Sequence, residues 1–261
     1  MGKPVESQIS ACIICHNEEE TIERCLESLK WVDDIVVVDS MSTDRTCEIA
    51  KGYTGRIIQR DWPGYTAQKN FALKNAKTEW VLSLDADEAV SNGLRNEILE
   101  EISKSDALDG YRIPRRSFYQ GRWINHSGYY PDRQLRLFRR DRGEWVGGRV
   151  HERMTVNGRV GVLKHDILHY PYGGGITGQL ETINSFSTLL ARDMFDRGKR
   201  FHLALLFPRP FFKFLEVYVL KKGFLDGLPG LIIAVSDAYA MFVRYVKLRE
   251  IESDFGTGRE K

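Results

Sequence analysis

The fold of this chain is indicated most clearly by one segment, Trp80-Val81-Leu82-Ser83-Leu84-Asp85-Ala86-Asp87-Glu88. Its apolar first half has the length of a buried strand, and its second half carries two carboxylates separated by one residue. Because unpaired carboxylates are costly to bury, the pair predicts a cation at the end of this strand. Mg²⁺ or Mn²⁺ fits best, since these ions prefer oxygen ligands and keep positions open for phosphate oxygens.

Strand and helix patterns alternate on both sides of this segment. Apolar runs predict further strands at residues 9–15, 35–38 and 56–58. Helical spacing predicts helices that include residues 66–75 and 94–103, and Asn17 is the predicted N-cap of the first helix. The alternation predicts an α/β fold with a mostly parallel sheet flanked by helices.

Polar clusters follow three of the predicted strands, at residues 16–18, 39–40 and 85–87. In open parallel sheets, ligands bind beyond the carboxyl ends of the strands. We therefore expect these clusters to meet at one edge of the sheet. The turn at residues 42–46 has a helix-start pattern, whose backbone amides are expected either to be structural or to meet a phosphate.

Composition limits the class of protein. The chain has 261 residues, of which 42% are hydrophobic and 28% charged, as in folded proteins. A formal net charge of +2 and the lack of a continuous basic face argue against nucleic-acid binding. The first residues show no apolar signal region, which predicts a cytoplasmic protein. We interpret all four cysteines as reduced core thiols, with Cys12 and Cys15 on opposite faces of a strand: Cys12, Cys15, Cys25 and Cys47.

The second half of the chain changes character twice. Residues 110–172 are strand-like and rich in arginine, whereas the chain is helical from residue 177 and amphipathic over 201–246. Basic residues interleaved with Phe, Leu and Val favour helices that lie on the inner face of the cell membrane, although a helical cap or a homo-oligomer interface would bury the same face. The predicted domains are 1–176, with nucleotide-binding part 7–110 and acceptor part 110–176, and a helical extension 177–261.

Three motifs occur together in the first half: Ile13–Glu19, Val37–Thr46 and Leu84–Glu88. Their order and spacing resemble glycosyltransferase family 2, which implies a Rossmann-like GT-A fold with, here, a C-terminal amphipathic helical extension. Segments 61–70, 136–140 and 150–152 are similar to the bacterial branch that includes lipopolysaccharide-core β-glucosyltransferases. One departure is Met41, where many relatives carry Gly.

The resemblance implies a UDP-sugar donor, with a hexose such as glucose, and it implies roles for individual residues. Nucleotide contacts are expected from Asn17, Glu18, Asp39 and Ser40. Lys69 is expected to contact the diphosphate or the donor sugar, and Asp85 the ribose or the donor sugar, with Ala86 as a further donor-site residue. Either the diphosphate or an anionic acceptor is expected to be held by Arg133, Arg136 and Arg139. The metal ligands are expected to be Asp87, Asp85 and His169.

An inverting transfer to a glycolipid or lipopolysaccharide-core acceptor requires a general base. Glu152 is the first candidate for this base and Asp132 the second. Two alternatives differ in kind from a transferase of this family. The first is a nucleotidyltransferase, which would need a glycine- and arginine-rich loop after the first strand, and this loop is missing. The second is a non-catalytic sugar-nucleotide scaffold, which would not need Asp39, Asp85 and Asp87 to be intact.

Overall fold

The computed structural model of the chain describes residues 9–147, 152–171 and 175–256. The chain divides into two compact units, one from residues 1–117 and 131–173 and the other from residues 118–130 and 174–261. The first unit holds most of the strands and the second holds the long helices. The boundary predicted between residues 176 and 177 stays a prediction, and this division differs from it by grouping 118–130 with the C-terminal helices.

Parallel strands form one half of the large sheet, in the order β3-β2-β1-β4. These strands are β1 (Ile9–Cys15), β2 (Asp34–Asp39), β3 (Ile57–Gln59) and β4 (Trp80–Asp85). The helices between them are α1 (Ile22–Glu27), α2 (Thr46–Lys51) and α3 (Tyr65–Lys74). The predicted strand–helix alternation is confirmed, and each strand bound lies within one residue of the prediction.

The other half of the sheet is mixed and continues from β4 in the order β8-β6-β12-β5. Its members are β5 (Glu88–Val90), β6 (Gly110–Tyr119), β8 (Asp132–Arg139) and β12 (Ile167–His169), and α4 (Asn92–Ser103) follows β5. Two short strands also pair with β6, namely β7 (Arg122–Trp123) and β11 (Val160–Val162). A separate two-stranded sheet joins β9 (Gly143–Val146) to β10 (Arg153–Val156). The predicted GT-A type of α/β architecture is confirmed.

Buried side chains cover both faces of the parallel strands, which explains why these strands read as continuous apolar runs. Cys15 belongs to the cluster on one face and Cys12 to the cluster on the other. All four cysteines are free thiols, and Cys12, Cys15 and Cys25 are buried. The expectation that Cys12 and Cys15 point to opposite faces is confirmed, so this Cys-x-x-Cys spacing does not form a metal site.

Strand register brings the predicted polar clusters to one edge. Cys15, the last residue of β1, pairs with Asp39 of β2, and its neighbour Ile14 pairs with Asp85 of β4. The two aspartates therefore flank the carboxyl end of the central strand. Arg139 pairs with Trp80 at the opposite end of β4, so the expectation that Arg139 helps to hold a diphosphate is wrong.

The second unit is built on three helices: α5 (Ile176–Asp196), α6 (Pro208–Leu215) and α7 (Gly227–Gly256). Helix α7 packs against α5 and α6. Gly230 of α7 lies so close to Gly223 that a Cβ at Gly230 would overlap the Gly223 carbonyl oxygen. In the described part of the chain, no helix is both long and apolar enough to cross a membrane.

Asp226 organises the loop that precedes β8 within this second unit. Its side chain is fully buried and accepts hydrogen bonds from the backbone amides of Asn125 and His126 and from the Ser127 hydroxyl, at 3.0–3.1 Å. Its backbone carbonyl accepts a further bond from Arg122. Because these donors satisfy the buried carboxylate, Asp226 has a structural role.

Candidate functional site

Asp85, at the end of β4, is held by two cations. Lys69 Nζ lies 3.0 Å from Oδ1 and Arg136 Nη2 lies 2.6 Å from Oδ2. Burial would raise the pKa of this carboxyl, but the two cations hold it well below the usual range. Arg136 also approaches the fully buried Glu88 at 2.9 Å. Arg136 is therefore shared by two carboxylates, and Lys69 and Arg115 supply the further positive charge beside Asp85 and Glu88.

Asp87 lies opposite His169, with 3.2 Å between Oδ2 and Nε2. The other ring nitrogen, Nδ1, is 2.9 Å from the Ser117 hydroxyl, which fixes the orientation of the ring. The amide of Tyr170 also donates to the carbonyl of Asp87 at 2.9 Å, tying the two chain segments together. This spacing suits two neighbouring ligands of one divalent ion, since each would bind at about 2.0–2.2 Å.

Asp85 differs from the other two predicted metal ligands because both of its oxygens are already in ion pairs. Among the described residues, no group of three His, Cys, Asp or Glu side chains is arranged to hold a metal. Of the three predicted metal ligands, Asp87 and His169 are the two that are not paired with Lys69 or Arg136. The remaining positions would fall to substrate phosphates and water, as is usual for Mg²⁺.

A cavity of about 570 Å³ opens beside Asp85. Lys69 is 5% exposed and links Asp85 to Glu152, whose Oε1 lies 3.5 Å from Nζ. The Lys69 ammonium also lies 4.5 Å from the centre of the Trp145 ring. The lining residues are Lys69, Asp85, Arg115, Gln134, Arg136, Trp145, Val146, Gly147, Glu152 and Arg153.

The two candidates for the general base have different surroundings. Glu152 lines the cavity and meets Lys69 at its edge. Asp132 is bound on one oxygen by Arg115, at 2.6 and 2.9 Å, and on the other by Gln134, at 2.6 Å. Because these donors occupy both of its oxygens, Asp132 is the weaker candidate. His151, which the resemblance also offers as a residue that could complete metal coordination, lies outside the described residues.

Asp39 is fully buried and shapes the turn after β2. It accepts hydrogen bonds from the Ser42 amide at 2.9 Å, from Gln59 at 3.0 Å and from the Ser42 hydroxyl. These bonds lower its pKa despite its burial. Ser40 is also buried, and its hydroxyl accepts a bond from Gln68 at 3.0 Å.

Met41 occupies the position where glycine was expected, and it adopts φ 59°. That left-handed conformation explains the preference for glycine at this turn, and its side chain is 52% exposed. Met41 therefore adopts the conformation that the turn requires, and its backbone is strained because it has a Cβ.

Backbone amides at the start of α2 already have partners. The amide of Thr43 donates to Asn17 Oδ1 at 2.8 Å, and those of Arg45 and Thr46 donate to Glu19 and Asp44. The structure therefore supports a structural role for these amides rather than contact with a phosphate. Asn17 is not the N-cap of α1, because α1 begins at Ile22 with Thr21 at the cap; instead Asn17 adopts φ 55° and tethers this turn.

Sequence reasoning missed several supporting residues. Ser117, Gln59 and Gln68 gave no sequence signal, because each becomes relevant only through its neighbour in space. Glu88 directly follows the carboxylate pair, and that position was a usable signal. Arg115 and Trp145 come from β6 and β9, which sequence patterns alone do not place next to β4.

Glu18 is the carboxylic acid of this edge whose pKa is raised, to about 7. Burial is the main cause, and the charges of Asp87, Asp85 and Asp44 add to it, while a 2.6 Å bond from Thr21 opposes it. The side chain is partly buried. Among the predicted nucleotide contacts, Glu18 is therefore the carboxylic acid whose charge changes near neutral pH.

This raised pKa predicts how stability depends on pH. The folded protein holds the Glu18 proton more tightly than the unfolded chain, so stability falls as pH rises from about 4.5 to about 7 and the loss is complete above that. The free energy of unfolding is measured by urea denaturation in metal-free buffer across this pH range. Glu18→Gln should remove the part of its decline that is due to Glu18, on the order of 1–3 kcal/mol. The exposed Glu23→Gln is the control; parallel profiles for wild type and Glu18→Gln would contradict the prediction.

Comparison with known proteins identifies the family. Glycosyl transferase family 2 matches residues 10–157. The lipopolysaccharide core biosynthesis glycosyltransferase LpsC of Rhizobium meliloti is 33% identical over 246 residues, covering 92% of this chain and 91% of the relative. An uncharacterized glycosyltransferase of Rickettsia typhi is 31% identical over 257 residues, covering 94% and 87% of the two chains.

Among solved structures, S. aureus TarS residues 1–349 in complex with UDP-GlcNAc is similar at 18% identity and a TM-score of 0.49, covering 97% of this chain and 92% of that one. Shared chemistry does not follow from a likeness this distant. The family match and the relatives above 30% identity decide against the nucleotidyltransferase and scaffold alternatives. This chain belongs to glycosyltransferase family 2 and is a glycosyltransferase.

Proposed function

We propose that the chain transfers a hexose, such as glucose, from a UDP-sugar to a glycolipid or lipopolysaccharide-core acceptor, with inversion at the anomeric carbon. The observation that carries this proposal is the meeting of Asp87 and His169, a metal-type pair, with Asp85 and Lys69 at one edge of the sheet. A separate carboxylate, Glu152, lies on the far side of Lys69. The residues proposed to bind the donor are thus separate from the carboxylate proposed to remove the proton.

The donor is assigned to the edge formed by β1, β2 and β4. Glu18 and Asn17 are the proposed nucleotide contacts. Asp39 holds Ser42 in the turn to which Asn17 is bonded, and the Glu18 amide donates to the Thr46 hydroxyl at 2.7 Å. A divalent ion bound by Asp87 and His169 would neutralise charge on the departing diphosphate. Lys69 and Arg136 keep Asp85 ionised, so that it can accept hydrogen bonds from sugar hydroxyls.

Glu152 is the proposed general base. Inversion in one step requires a carboxylate beside the acceptor hydroxyl, on the face opposite the leaving group. Glu152 lines the cavity beside Asp85, and its Oε1 lies 3.5 Å from Lys69 Nζ. Glu152 would take the proton of the acceptor hydroxyl as that oxygen attacks, and the UDP group would leave on the Asp87 side.

The acceptor class rests on the relative from Rhizobium meliloti, whose name places it in lipopolysaccharide core biosynthesis. Identity of 33% over most of both chains supports a related acceptor, such as a core oligosaccharide or another membrane-borne glycolipid. An acceptor anchored in a membrane also agrees with a protein that works at the cytoplasmic surface of the cell membrane.

Exposed aromatic side chains in the second unit support binding to a membrane surface. Phe207 is 70% exposed, and Phe211 and Phe212 on α6 are 59% and 64% exposed. Basic residues lie on the same segment, with Arg209 exposed and Lys213 partly exposed. Phenylalanine next to basic side chains is typical of helices that lie in the interface of an anionic membrane.

The donor site is tested by calorimetric titration of UDP, with Mn²⁺ and with EDTA. We expect Asp87→Asn to weaken UDP binding at least tenfold in Mn²⁺ and to have little effect in EDTA, because the lost contact is made through the ion. Asp141→Asn, whose carboxylate is 75% exposed, is the matched control. UDP binding that is independent of Mn²⁺, or equal in wild type and Asp87→Asn, would refute the proposed metal role.

The membrane surface is tested by sedimentation with vesicles of phosphatidylcholine and phosphatidylglycerol. Removing two Phe side chains should weaken binding by roughly 30–800-fold, because each contributes about 1–2 kcal/mol on entering the interface. The variant is Phe211→Ser with Phe212→Ser, and the control is Val162→Ser, an exposed apolar residue of the first unit. Equal sedimentation of the double variant and the wild type would show that α6 is not the membrane contact.

A further inference from the structure

We propose that the cavity beside Asp85 contains a subsite for an anionic group of the acceptor, a phosphate or a carboxylate, bound by Arg136 and Arg153. The inference rests on the proposed function in one respect, namely that the acceptor enters this cavity next to Glu152. It adds a requirement on the substrate: the hydroxyl that receives the sugar would belong to a charged acceptor rather than a neutral one.

Overall charge does not explain the subsite. Cations lining the cavity are Lys69, Arg115, Arg136 and Arg153, and the lining carboxylates are Asp85 and Glu152. Glu88 and Asp132, which both pair with Arg115, balance the remaining positive charge. Because the cluster is close to neutral, an anion must be attracted by particular unsatisfied donors rather than by a general positive field.

Arg136 provides the first such donors. Nη2 alone makes both of its ion pairs, to Asp85 and Glu88. Nε and Nη1 are buried and have no hydrogen-bond partner among the described residues. A buried donor without a partner costs about 1–3 kcal/mol, so such groups are rare unless a ligand or water satisfies them. The guanidinium is 4% exposed and lines the cavity.

Arg153 supplies a second cation at the same cavity. It is exposed, it lies at the start of β10, and it has no carboxylate partner among the described residues. Arg115 differs because Glu88 and Asp132 already engage it. Arg153 can therefore form a new charge-assisted contact without breaking an existing ion pair.

The side chains that line the cavity suit a sugar that carries a charged group. Trp145 gives an aromatic wall, whose ring lies 4.5 Å from Lys69 Nζ, and Gln134 gives an amide for hydroxyl groups. Such mixed linings suit polar ligands that have apolar faces. Glu152 also lines this cavity. An acceptor whose reacting hydroxyl lies next to Glu152 would therefore place a nearby anionic group of the same molecule inside the cavity.

The donor diphosphate is the other source of anionic oxygens. Asp87 and His169, the proposed metal pair, do not line this cavity. If the diphosphate is bound through that ion, the donors of Arg136 and Arg153 remain available for a second anion. A phosphate should therefore bind at the subsite while UDP is bound. Competition between the phosphate and UDP would instead show that the arginines bind the donor diphosphate.

The test uses the full chain with Mg²⁺ and saturating UDP, and methyl phosphate as the probe. Phosphorus NMR resolves the methyl phosphate signal from the two UDP signals, so both sites are followed in one titration. We expect millimolar binding of methyl phosphate, unchanged by UDP and at least fivefold weaker in Arg153→Gln. Arg159→Gln removes an exposed arginine outside this cavity and should stay within twofold of wild type.

Three results would overturn the subsite: displacement of methyl phosphate by UDP, equal affinity in wild type and Arg153→Gln, or no methyl phosphate binding by protein that binds UDP. The first would assign these arginines to the donor diphosphate. Failure of UDP itself to bind would count against the proposed donor instead. The titration without UDP would then still decide whether Arg153 binds a phosphate.

Discussion

The Arg136 guanidinium, buried between Asp85 and Glu88, is the interaction on which the rest of the site depends. Two carboxylates at the end of a covered strand would be prohibitively costly without a cation, and Arg136 reaches both through one nitrogen. Lys69 adds a second cation from α3 and links Asp85 to Glu152. Ion pairs thus join β4, β8 and α3 at the edge where the donor is expected.

This network divides the work between two neighbouring aspartates. Asp85 is committed to Lys69 and Arg136, so its charge is fixed and its geometry is held by the protein. Asp87 has a histidine partner, oriented by Ser117, and lies outside the cavity beside Asp85. A pair of acids two residues apart can therefore serve two purposes, because β4 ends at Asp85 and Asp87 lies in the turn before β5 begins at Glu88.

Sequence patterns predicted the parallel half of the fold well, because each strand is an apolar run that ends in polar residues. They predicted the shared edge for Asp39 and Asp85, which strand register confirms. They failed where three-dimensional neighbours decide the outcome: Arg139 lies at the wrong end of β4, and Asn17 ties down a turn instead of capping α1. The ion pair of Asp132 with Arg115 was equally invisible, because Arg115 comes from the neighbouring strand β6.

The most direct measurement is an anomalous difference map from crystals grown with UDP and Mn²⁺. The account predicts a manganese peak within about 2.0–2.4 Å of both Asp87 Oδ2 and His169 Nε2, with diphosphate oxygens completing its coordination. It also predicts that Asp85 remains paired with Lys69 and Arg136. Ordered UDP bound elsewhere, or manganese held by Asp85 while His169 stays bonded to Asp87 alone, would contradict it.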